Sequence, residues 1–105
     1  MVVDRYKGYS INRRREPNYK VKESREVYDI YSERSGALAF SFIGYYNPKR
    51  ILKPLNKEAV IARLMQPVLA EVRRKIDAGD LTDGYLHAET AGQAEPVVAA
   101  PNLGG

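Results

Sequence analysis

Three stretches of the chain alternate apolar and polar residues with the period of two that half-buried strands require, and a fourth follows the 3.6-residue period of a helix. From Arg5 to Asn12, Tyr9 and Ile11 fall on one side and Tyr6, Gly8 and Ser10 on the other. From Arg25 to Glu33, Asp29 requires solvent, so Val27 and Tyr31 share its side and Tyr28 and Ile30 are left for the core. The strongest alternation runs from Ala37 to Tyr46, with Leu38, Phe40 and Phe42 on one face and Ala39, Ser41, Ile43 and Tyr45 on the other. Between these runs lie turn residues. Arg13-Arg14-Arg15-Glu16-Pro17-Asn18 reads as a loop, and Ser32 to Gly36 as a type I turn with Gly36 left-handed. Asn47-Pro48 ends the last strand. Ile51, Leu52 and Leu55 follow as apolar plugs beside the core.

Ile61, Leu64, Met65, Val68, Leu69, Val72 and Ile76 trace one helical stripe, bounded by Asn56 as N-cap and Gly79 as the residue past the C-terminus. Pro67 removes a hydrogen bond to the Arg63 carbonyl, at roughly 3 kcal/mol in a straight helix. Because the stripe keeps its phase across Pro67, the pattern predicts a single helix kinked there. Beyond Leu86 no period survives, so residues 87–105 read as a flexible acidic tail. The expected architecture for residues 1–86 is α+β: a three-stranded antiparallel sheet packed on one long C-terminal helix, βββα in order. Such a sheet has one face covered by the helix and one left open.

Composition adds limits. At 105 residues there is room for one domain, and with 44% hydrophobic and 29% charged residues it is expected to fold. Cysteine is absent, which excludes disulfides and thiolate sites and suits a reducing compartment. No apolar run reaches the ~18–20 residues of a membrane span, and the N-terminus lacks an apolar signal core, so the expected location is cytoplasmic. Charge is unevenly placed. Residues 1–57 carry 13 Lys and Arg against 6 Asp and Glu, whereas residues 58–105 carry 4 against 7. A basic head of this kind suits a polyanion.

The candidate phosphate ligands are Arg13, Arg14 and Arg15, with Arg5, Lys7, Lys20, Lys22 and Arg25 around them. Guanidinium forks match phosphate oxygens, and a loop between strands can follow a groove. Eight tyrosines interleave with these cations and offer rings on which bases stack. The open face, expected to carry Tyr6, Val27, Tyr31, Ile43 and Tyr45, offers an apolar patch suited to a second copy of the chain or another protein. In plan the fold resembles the DNA-binding domains of ethylene-response transcription factors and the N-terminal domains of some integrases. Those read DNA with an exposed sheet, but the likeness is one of architecture, without a shared residue motif. Chemistry has less support. His87 is the sole histidine, the Asp77, Asp80 and Asp83 spacing does not fit a calcium loop, and no cofactor motif occurs. The sequence therefore points to a small non-enzymatic, nucleic-acid-associated protein without cofactor or metal, acting through its basic N-terminal strand and loop. Homodimerisation or protein binding through the open sheet face is the alternative.

Overall fold

The computed structural model describes residues 1–18, 23–47 and 57–88. The first alternating stretch is a hairpin rather than one strand: β1 (Val2–Tyr6) turns at Lys7-Gly8 into β2 (Tyr9–Asn18). Both turn residues have positive φ, +46° at Lys7 and +86° at Gly8, as a two-residue primed turn needs to match strand twist. β2 then continues through Arg13, Arg14 and Arg15, which the pattern had placed in a loop. Pairing with β1 ends near Asn12, so Pro17 lies where β2 has no β1 neighbour, a position that tolerates its missing N–H.

β3 (Glu23–Ser32) and β4 (Leu38–Tyr46) are joined by the expected turn. Gly36 is left-handed at φ +76°, and its N–H donates to the Ser32 carbonyl at 2.7 Å. One residue is extra. Ile30 lies opposite Phe40 but Tyr31 opposite Leu38, so the strand bulges at Ala39. The bulge moves Leu38 off the face of Phe40 and Phe42, where the alternation had put it, and leaves it 54% exposed.

The helical stripe forms two helices, α1 (Lys57–Leu64) and α2 (Gln66–Ala78), parted at Met65. Pro67 lies in the first turn of α2, where an absent N–H has no intrahelical partner to lose. The break therefore comes just before the proline and relieves the cost a single kinked helix would carry. The phase of the stripe is kept, and Ile61, Met65, Val68, Val72 and Ile76 are all buried. At the far end the Gly79 and Asp80 N–H groups donate to the Ile76 and Lys75 carbonyls, with Gly79 at φ +72°, the paired bonds of a Schellman motif.

The chain then adds β5 (Gly84–His87), parallel to β4, which completes a sheet in the order β1-β2-β3-β4-β5. The class is α+β, but among the described residues the sheet is five-stranded and mixed, with two short helices. This corrects the expected three antiparallel strands on one long C-terminal helix. No pattern in the sequence announces β5, because four residues are too few to show a period and its partner strand lies across the helices. His87, expected to open the tail, is the last residue of that strand.

The helices cover the face bearing Ile11, Tyr28, Ile30, Phe40, Phe42 and Tyr46, with Tyr6, Tyr9 and Leu86 at its margin. Lys75 is buried here too, its Nζ donating to Asp80 Oδ2 at 3.0 Å and Thr82 Oγ1 at 3.2 Å over the Phe40 ring. Among the described residues no helix is long and apolar enough to cross a membrane. Lys20, Lys22, Ile51, Leu52, Leu55, Asn56 and the expected tail from residue 89 lie outside the described residues.

Candidate functional site

Strand register orders the other face, which no helix among the described residues covers, into rows. Asn12, Asp29 and Ser41 form a polar row across β2, β3 and β4. The next runs Arg14, Val27, Ile43 and Tyr85 across β2 to β5, and the next sets Arg25 beside Tyr45 and His87. Cations thus stand over β2 and β3 and rings over β4 and β5, about 14 Å apart at the extremes by ordinary strand spacing. The Tyr45 and His87 rings stack, with centroids 4.9 Å apart and planes at 20°. Tyr85 meets both edge-on at 6.0 Å and is 65% exposed. In the polar row Asp29 accepts from Arg14 Nε at 2.8 Å and Ser41 Oγ at 2.7 Å. Burial works to raise its pKa, but these two donors outweigh it and hold the carboxyl below its ordinary value.

The expected phosphate ligands are dispersed by the pleat. Arg13 and Arg15 share the helix side of β2, while Arg14 between them faces the open side. Arg15 Nε binds Glu26 Oε2 at 2.8 Å, Arg13 Nε lies 3.4 Å from Glu26 Oε1, and both reach Glu58 of α1. Glu26 is fully buried and also accepts from the Tyr46 hydroxyl at 3.3 Å. Its hydrogen bond raises the Arg15 pKa well above the ordinary arginine range, while burial pushes Tyr28 and Tyr46 up, so all stay in their usual protonation states. Arg5 pairs with Glu33 at 3.0 Å, and Lys7 pairs with Asp77, which raises the Lys7 pKa and lowers that of Asp77. Arg25 is half-buried on the open face.

Of the expected interface residues, Tyr31, Ile43 and Tyr45 lie on the open face, each half-buried. Val27 lies there too but is only 3% exposed, so the face presents less apolar surface than the pattern implied. Tyr6 belongs to the opposite face. The two-residue turn sets it across from Tyr9, and its hydroxyl donates to Asp77 Oδ2 at 2.9 Å. Tyr85 and His87 are the additions that sequence reasoning missed. Alternation within Gly84-Tyr85-Leu86-His87 pairs them on one side, but only if the segment is known to be a strand.

Among the described residues no group of three or more His, Cys, Asp or Glu is placed to hold a metal ion. The arrangement can stack planar rings and place a guanidinium against an anion beside them. No family model, no curated protein and no solved structure matches the chain.

Proposed function

We propose that this is a small, cytoplasmic, non-enzymatic nucleic-acid-associated protein that takes a single strand on its uncovered sheet face. The observation that carries the reading is the Tyr45–His87 stack with exposed Tyr85 beside it, in the same rows as Arg14 and Arg25. A base offers a ring face to such a cluster whatever its sequence, and its phosphate can reach a guanidinium alongside. A duplex hides its bases and would depend on cations. Arg5, Lys7, Arg13 and Arg15 of the basic N-terminal region are already in internal ion pairs, which favours single strands over duplex.

Fluorescence anisotropy with a labelled single strand and its duplex tests this. Stacking contributes about 1–3 kcal/mol per base, so Tyr85→Ala should weaken single-strand binding at least about fivefold. Equal or tighter binding of the duplex, or no binding at low salt, overturns the reading. A second reading, a two-fold dimer through the same face, draws on the exposure of Tyr85 and Leu38 on that side. Sedimentation at micromolar concentration separates them: a dimer that Ile43→Glu dissolves supports the second.

A further inference from the structure

We propose that Arg13 and Arg15 form a binding site for a phosphate monoester on the helix side of the sheet, in which the Glu58 carboxylate is the resident occupant. This goes beyond the reading above, since the fork faces away from the aromatic rows. Three observations carry it. The first is convergence. Arg13 Nη2 lies 3.3 Å and Arg15 Nη2 3.0 Å from Glu58 Oε1, so two guanidinium groups meet on one oxyanion. The second is fixation. Arg15 Nε donates to Glu26 Oε2 at 2.8 Å and Arg13 Nε lies in ion-pair range of Oε1 at 3.4 Å, and Glu26 is 1% exposed, so a buried anion anchors the fork independently of its occupant. The third is the occupant's weak hold. Glu58 is 62% exposed in the first turn of an eight-residue helix whose one buried residue is Ile61. An exposed carboxylate of that kind gains little from its ion pair. A phosphate monoester carries close to two charges near neutral pH and three acceptor oxygens, which suit two forks better than one carboxylate does. The two arginines and two glutamates sum to zero charge, and displacing Glu58 leaves one positive charge for the incoming dianion.

The test is a titration of the full chain with inorganic phosphate at constant ionic strength, following the Arg13 and Arg15 Nε–H resonances. Glu58→Gln removes the competitor at an exposed position and should tighten phosphate binding about fivefold. Arg15→Lys keeps a cation for Glu26 but breaks the fork, and should abolish the saturable shifts. Equal affinity in wild type and Glu58→Gln, or saturable binding that survives in Arg15→Lys, overturns the proposal. A 5′-phosphorylated single strand and its 5′-hydroxyl counterpart identify the source. Preference for the phosphorylated strand assigns the site to a nucleic-acid end, and equal binding assigns it to a free phosphate compound. Tyr85→Ala should leave the phosphate shifts unchanged, so failure of the single-strand reading remains a separate result.

Discussion

At the scale of single residues, two positions set terms that their neighbours must obey. Gly44 lies where the helices press closest on β4. A Cβ built there would stand 2.8 Å from Met65 Sδ and 3.0 and 3.1 Å from the two methyls of Val68. The sulfur belongs to a flexible, unbranched chain and can move; the branched Val68 methyls cannot. Glycine normally weakens a strand, so its presence here reflects the approach of the helix rather than strand propensity. Gly44→Ala should cost about 1–3 kcal/mol, read as a lower urea midpoint at unchanged slope. Asp80 is the second. Thr82 and Lys75 donate to it and draw its pKa down from the ordinary 3.8 to about 2. The unfolded chain therefore takes up this proton first as pH falls. The stabilising contribution is complete above about pH 5 and is lost on the way down to about pH 2. Urea midpoints measured across that window should fall less steeply in Asp80→Asn than in the wild type.

At the scale of elements, Glu26 of β3 ties together β2, through Arg13 and Arg15, and β4, through Tyr46. Removing a buried charge partner costs about 3–5 kcal/mol, whereas an exposed ion pair contributes about 1 kcal/mol at most. Glu26→Ala should accordingly cost about 3 kcal/mol, the low end because Arg15 stays partly in solvent. Glu58→Ala should cost less than about 1 kcal/mol in the same urea titration. The elements also show what the sequence could reveal. The cores of β3 and β4 and the helical stripe were legible because each runs long enough for its period to repeat. The Lys7-Gly8 turn was not. With no Asn-Gly or Asp-Gly to announce it, Arg5 to Asn12 read as one strand, which put Tyr6 on the wrong face. The Ala39 bulge shifted Leu38 for a related reason, since one inserted residue inverts every side chain beyond it. Of the candidate site, Ile43 and Tyr45 were legible from parity within β4. Tyr85 and His87 were not, because a four-residue parallel strand is specified by contacts across the helices rather than by its own pattern.

At the scale of the whole molecule, much of the basic head read from the sequence is paired with carboxylates inside the fold. Arg5, Lys7, Arg13, Arg14 and Arg15 each have a carboxylate partner within the fold. Lys20, Lys22, Lys49, Arg50 and Lys53 lie outside the described residues. Among the described residues, Arg14, paired through Nε with Asp29 yet with its side chain 53% exposed, and Arg25 are the cations in line with the aromatic rows on the face away from the helices. Counting charges along the chain alone implied a steep loss of affinity with salt, whereas stacking beside two guanidinium groups implies a shallow one. Each phosphate contact with a single strand contributes about −0.7 to the slope of log affinity against log salt concentration, so two contacts give about −1.4. Anisotropy titrations at several sodium chloride concentrations measure that slope directly. Replacing both Arg14 and Arg25 with alanine should bring it close to zero while leaving a residual, salt-insensitive affinity from the rings. A wild-type slope of about −4 or steeper would mean that six or so phosphates are neutralised. Two arginines cannot supply that number, and such a result would move binding away from the sheet face altogether.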